Sequence, residues 1–213
     1  MSTKFFNNDD GKTLFTRLAK IAGDGGMGAK FQVFKAVAGY FRSSGWFRLR
    51  EQLGGVRKIQ ILVGIDIDDI MRNRARTELF FTADDDETRR RYFEAFSEDV
   101  KEAGYTQEIE HGILQLCQDV VEGRVELRIH NSRNLHAKFY LCLPENYGEH
   151  SEGRVIMGSS NLTDSGLGTR PDPDHRYELN VEIRDFDDVD FCRQEFERLW
   201  KEGSGSRTSI NRM

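Results

Sequence analysis

The stretch that most limits the fold is Lys58 to Ile65, Lys-Ile-Gln-Ile-Leu-Val-Gly-Ile. Its apolar residues are nearly continuous, so neither face of an extended segment is left for water. That pattern belongs to a central strand covered on both sides, as in parallel sheets. Upstream, Gln32 to Phe41 is rich in Val, Phe, Ala and Tyr and reads as a second buried strand. Between the two, Trp46, Phe47, Leu49 and Leu53 form an apolar stripe on a helix. Ser43-Ser44-Gly45 offers it an N-cap and Gly54-Gly55 a stop. Strand, helix and strand in this order predict a right-handed βαβ unit, and with it an α/β domain.

The rest of the chain extends this unit. Residues 1–12 are polar and read as loose. Leu14, Phe15, Leu18, Ile21 and Ala22 give a short amphipathic helix that stops at Gly23-Asp24-Gly25-Gly26. That glycine-rich stretch lacks the Lys-Ser/Thr ending of a phosphate-binding loop. Asp66, Asp68 and Asp69, following a strand, read as caps and solvated groups rather than metal ligands. Two helices are expected over 85–104 and 107–121, the second with His111 as a structural histidine. Strands are expected at 125–129, 135–143, 154–157 and 177–183. A short helix over 163–168 is capped by Thr163 or Asp164, and a longer one runs from Asp185 through Trp200. The expected organisation is an N-terminal segment (1–30), a domain over 31–202 with a helical insertion at about 85–121, and a linker-like tail (203–213). The expected fold is α/β, a mixed, largely parallel β-sheet flanked by helices.

A length of 213 residues suits one such domain. The net charge of −5 leaves no molecule-wide basic footprint, so any nucleic-acid contact needs a local patch. Arg124, Arg128, Arg133 and Lys138, opposed only by Glu126 and joined by His130 and His136, are the candidates. Cys117, Cys142 and Cys192 lack metal-ligand spacing and sit in apolar surroundings, as buried thiols of a reducing compartment. No apolar run reaches the roughly 20 residues that span a bilayer, and the N-terminus carries no signal-peptide core. A cytoplasmic protein with no membrane contact is expected.

The chemistry-bearing residues cluster between Leu135 and Ile183. His136 and Lys138 are two apart in an apolar run, which puts both on one face of a strand. The run at 154–157 ends in Gly158-Ser159-Ser160-Asn161, where backbone N–H groups and short polar side chains can gather round an anion. Glu178 and Asn180, again two apart, return on the next strand. Three neighbouring strands would then present His, Lys, Ser, Asn and Glu at one edge.

His-x-Lys, a short strand, Gly-Ser-x-Asn and a following Glu resemble the active-site signature of the phospholipase D superfamily. The resemblance is closest to its bacterial nucleases, including domains of restriction endonucleases and domains fused to helicases. It is strong over roughly the last ninety residues and weaker from Phe31 to Asp66, where Ala38-Gly39-Tyr40-Phe41 is similar to the family's opening unit. The family often carries an Asp seven residues after the His; here that position is Leu143.

The resemblance implies a metal-independent phosphodiesterase with no cofactor. His136, neutral at an ordinary imidazole pKa of about 6.5, would attack phosphorus and form a phosphohistidine. Lys138, Asn161 and Ser159 would steady the non-bridging oxygens, and Glu178 would orient His136 through its other ring nitrogen. Ser160, Arg128, Arg133 and Asn180 are expected to contact substrate. The family needs a second His to protonate the leaving oxygen. One signature per chain therefore implies a homodimer with a composite site. Two functions compete. One is an endonuclease cleaving DNA, within a restriction or helicase system that includes a helicase or ATPase partner. The other, motivated by Leu143 and the linker-like tail, is a catalytically silent DNA-binding or dimerisation module of a larger assembly.

Overall fold

The computed structural model describes residues 4–8, 11–23, 31–66, 106–130, 135–169 and 177–204. In chain order these form Lys4–Asn7 (β1), Leu14–Gly23 (α1), Val33–Tyr40 (β2), Ser43–Arg50 (α2), Lys58–Asp66 (β3), Gln107–Val121 (α3) and Val125–His130 (β4). Phe139–Leu143 (β5), Arg154–Gly158 (β6), Asp164–Leu167 (α4), Leu179–Ile183 (β7), Phe186–Glu202 (α5) and Gly203–Ser204 (β8) follow. The helix expected over 85–104 lies outside the described residues.

The strands make one sheet in the order β1-β7-β6-β5-β2-β3-β4-β8. The expected βαβ unit is β2-α2-β3, with its strands adjacent, parallel and in register from Val33↔Lys58 to Ala38↔Val63. The α/β class and the mixed sheet are as the sequence suggests, but the parallel share is smaller. Only β2–β3 and β3–β4 are parallel; the other pairings, from β1–β7 to β4–β8, are antiparallel. A parallel return needs a crossover element. The connection between β5 and β6 is a short loop, and the described part of the next holds only the four-residue α4. These strands therefore run up and down.

Helices α1, α2 and α3 cover one face of the sheet and α5 the other. Strand β3 contributes Ile59, Ile61 and Val63 to the first core and Leu62 to the second, which accounts for its unbroken apolar run. Each such side chain stabilises by about 1.5–3 kcal/mol on burial. At the centre of the first core Trp46 donates its indole N–H to Asp119 (3.0 Å). The same buried carboxylate takes Arg50 Nε (2.8 Å) and NH2 (2.9 Å). This joins α2 to α3.

Three boundaries differ from the sequence reading. The described residues of the 1–30 segment, 4–8 and 11–23, are built into the same fold. β1 pairs with β7 from Lys4↔Glu182 to Asn7↔Leu179, and Leu14, Leu18 and Ile21 of α1 enter the first core. β1 escapes notice because an edge strand of four residues has too little apolar periodicity of its own. Gly203–Ser204, expected in the tail, pairs with Ile129 and His130 of β4. The N-cap of α2 is Arg42, without a side-chain hydrogen bond, rather than the Ser43-Ser44-Gly45 group. There Phe41 bridges to Leu162 and Arg42 N donates to Leu162 O (3.0 Å), so the segment after β6 sets where the helix starts. Thr163 does cap α4, accepting from Gly166 N at 3.1 Å.

Candidate active site

Because β5, β6 and β7 alternate in direction, the start of β5, the end of β6 and the start of β7 meet at one edge of the sheet, beside the end of β2. His136 and Lys138 lie just before β5 rather than inside it. The cause is a close approach to β3. A Cβ at Gly64 would lie 2.1 Å from Leu135 O, so only glycine lets this backbone press in. The two side chains nevertheless converge. Lys138 Nζ is 3.1 Å from His136 Nδ1, 3.2 Å from Nε2 and 2.7 Å from the His136 carbonyl oxygen. His136 is exposed, whereas Lys138 is only 8% exposed. Burial lowers the Lys138 pKa below the ordinary lysine value, and the nearby Glu178 charge works against that shift.

Asn161 follows β6 and accepts from the Tyr40 backbone N–H through Oδ1 (3.0 Å). That bond fixes the amide, leaving Nδ2 as its donor. Gly39 lies beneath all three groups, where the β2–β3 register shifts between Ala38 and Tyr40. A Cβ on Gly39 would stand 3.5 Å from Asn161 Oδ1, 3.5 Å from Lys138 Nζ and 3.6 Å from His136 Cδ2. The missing side chain thus leaves an open point toward which an imidazole, an ammonium and an amide all face. A bulge beside reactive groups is a recurrent way of aiming them. The Tyr40 ring stands edge-on to His136 at 6.4 Å. Gly39 and Tyr40 were not assigned to the site from the sequence. Only the family-like Ala38-Gly39-Tyr40-Phe41 phrase marks them.

The other expected residues divide. Ser159 donates its hydroxyl to Glu178 and accepts from Leu179 N (3.1 Å). In this chain the Glu178 carboxylate therefore meets Ser159, and the expected bond from His136 to Glu178 is not among those formed. Ser160 and Asn180 are buried and bonded to each other, Asn180 Nδ2 to Ser160 Oγ at 2.9 Å, while Tyr140 OH donates to Ser160 O (2.8 Å). They brace the turn from below instead of facing a substrate. Gly158 admits that packing, since a Cβ there would lie 2.4 Å from Asn180 Oδ1. Arg128 is drawn away to α5, its guanidinium 4.3 Å above the Trp200 ring and bonded to Trp200 O (2.9 Å). Arg124 bonds the Arg50 and Leu53 carbonyls and Asp119. The patch expected between Arg124 and Lys138 is thereby dispersed, because neighbours on β4 and its approach point to different partners. Arg133 lies outside the described residues. Leu143 is buried in the second core at the far end of β5 from Lys138. Five residues of extended chain separate them, on the order of 16 Å.

A nucleophilic ring beside a desolvated cation and an oriented amide donor suits an oxyanionic reaction centre. Residues 58–200 match the family described as cardiolipin synthase, PLD-like domain, and the chain belongs to this phospholipase D-like family. No curated protein matches it by sequence. Among solved structures it is similar to Nuc from Salmonella typhimurium, a phospholipase D family member. That likeness has 12% identity, a TM-score of 0.50 and coverage of 95% of each chain. It is also similar to the polyphosphate kinase from Porphyromonas gingivalis, with 10% identity and a TM-score of 0.56. The match covers 98% of this chain but 27% of the kinase. These likenesses concern the fold.

Proposed function

We propose that the chain is a phosphodiester hydrolase that cleaves DNA through a covalent intermediate on His136, with no metal in the reaction. The convergence of His136, Lys138 and Asn161 on the open point above Gly39 carries this reading. An imidazole nitrogen attacks phosphorus. The N–P bond forms as the bond to the leaving sugar oxygen breaks, and that oxygen takes a proton from a general acid. Water then attacks phosphorus, the N–P bond breaks, and the conjugate base of that acid takes the water's proton. Lys138 and the Asn161 amide donate to the non-bridging oxygens, a role worth about 3 kcal/mol per donor in comparable sites. Ser159 and Glu178 act at the rim. The carboxylate supports the charged form of Lys138 and holds the serine hydroxyl beside the phosphate.

The general acid is the corresponding histidine of a second copy of this chain, giving a homodimer with a composite site. Tyr177 and Leu179, both exposed and flanking Glu178, offer that copy an apolar surface at the rim. Arg133, three residues before His136, is the member of the expected patch that remains a phosphate contact. The resemblance to restriction and helicase-associated nucleases favours a role in such a system, with a motor domain or subunit supplying the DNA. The silent-module reading has two motives, Leu143 and the linker-like tail; the first weakens because Leu143 is buried at the far end of β5, apart from the reacting groups.

The test is cleavage of plasmid and single-stranded DNA in excess EDTA, with His136→Ala beside the unmodified protein. Cleavage is expected to fall by at least about 10⁴-fold in the variant, the scale of losing a nucleophile. Cleavage that EDTA abolishes would refute the mechanism. DNA binding without cleavage by either protein would favour the silent module.

A further inference from the structure

The N-terminal segment builds a second feature that the reacting groups do not use. A cavity of about 480 Å³ lies between β1 and α1, and Lys4, Lys12, Arg17 and Lys20 line it together with Phe5 and Phe6. Among the described residues no carboxylate lines it. Arg17 is tied to the buried Glu182 and lies 5.9 Å from the Phe6 ring centre. Lys4, Lys12 and Lys20 are exposed and form no ion pair among the described residues. Phe5 is 73% exposed, an unusual position for so large an apolar ring. In a chain of net charge −5, and with the Arg124–Lys138 patch dispersed, four cations around one cavity are a local exception.

The cavity is also joined to the site. Asn8, directly after β1, accepts from the Glu178 backbone N–H at 3.0 Å, and Asn7 is in register with Leu179. From Asn8 back to Lys4 is four residues of extended chain, on the order of 13 Å.

We propose that this cavity binds the DNA strand flanking the scissile phosphate, its lysines holding backbone phosphates and Phe5 stacking on an unpaired base. Cations interleaved with an exposed aromatic are the usual means of gripping single strands without reading sequence. The ring can stack only on a base outside a duplex, so the proposal selects single-stranded DNA. It rests on the nuclease reading and adds where the strand runs.

The test compares the unmodified protein with Lys12→Glu/Lys20→Glu and with Phe5→Ala, using two substrates and one binding assay. For a labelled single-stranded oligonucleotide, KM is expected to rise about tenfold or more at low salt in the double variant, the gap closing as salt increases. Hydrolysis of bis(p-nitrophenyl) phosphate, too small to reach the cavity, is expected to stay unchanged. Unaltered KM for the oligonucleotide would overturn the proposal. So would an equal loss on the small diester, which would mean damage to the site itself. If the unmodified protein hydrolyses neither substrate, the nuclease reading fails separately and fluorescence anisotropy of the oligonucleotide decides on the cavity. Weaker binding in the variants supports the proposal and equal binding refutes it. Loss of binding to anionic phospholipid vesicles, with oligonucleotide binding intact, would assign the cavity to lipid and overturn it.

Discussion

Two buried charges show how differently the two halves of the sheet are built. Asp119 packs over the parallel half, β2-β3-β4, and its carboxylate is met by Trp46, Arg50 and Arg124. Lys138 sits in the antiparallel half, and no carboxylate lies within ion-pair distance of it among the described residues. Its partners are an imidazole and a carbonyl. A buried charge left without a counter-charge is costly unless something supplies one. Asp119 is therefore part of what holds the fold together, and Lys138 is where the proposed reaction would place its anion. Strands of both halves are covered on both faces, β5 sending Tyr140 and Cys142 to the first core and Phe139, Leu141 and Leu143 to the second. In the antiparallel half β6 ends in Gly158 and runs into Ser159, Ser160 and Asn161, where the proposed chemistry sits.

The strongest way to break that division is to strike at each charge and read both stability and activity. Asp119→Ala leaves two arginines and an indole N–H facing an empty space. It is expected to cost about 3–5 kcal/mol in denaturant unfolding, with cleavage per folded molecule unchanged. Activity lost while stability is kept would reverse the assignment. Gly39→Ala tests the site edge, where the end of β2 meets the start of β5. Its new methyl makes only ordinary contacts, so stability is expected to stay within about 1 kcal/mol. The methyl stands against Lys138, His136 and Asn161 where the proposed mechanism needs the phosphoryl group, and cleavage is expected to fall on the order of 10²-fold, as for losing one transition-state donor. Unchanged cleavage would move the phosphate elsewhere.

The finest test is Glu178→Gln. Burial lowers the Lys138 pKa and Glu178 partly offsets this, so removing the carboxylate lowers it further. Activity that needs the ammonium should then fail at lower pH, and the alkaline limb of the pH–rate profile is expected to move down. An unmoved limb would separate Lys138 from the rate. The linked stability has a defined sign. The folded chain releases this proton before the unfolded one does, so the Lys138 contribution rises with pH between the folded value and about 10.4.

Much of this was legible in the amino-acid order. An unbroken apolar run can only be a strand covered twice, and the order of strand, helix and strand sets its handedness, so Lys58 to Ile65 and its βαβ unit follow from local pattern alone. The spacing of His136, Lys138, Ser159, Asn161 and Glu178 likewise marked the edge where β5, β6 and β7 meet. What tertiary structure decided is which polar groups are available. Asn180 Nδ2 bonds Ser160 Oγ, and Arg128 turns to Trp200, because a polar group takes the partner that packing brings to it whatever its sequence neighbours do. Gly39 entered the site, and β1 with Lys4 joined the sheet, beside residues about a hundred or more positions away. Periodicity reports one segment's own face; it carries no information on what a distant segment brings to it.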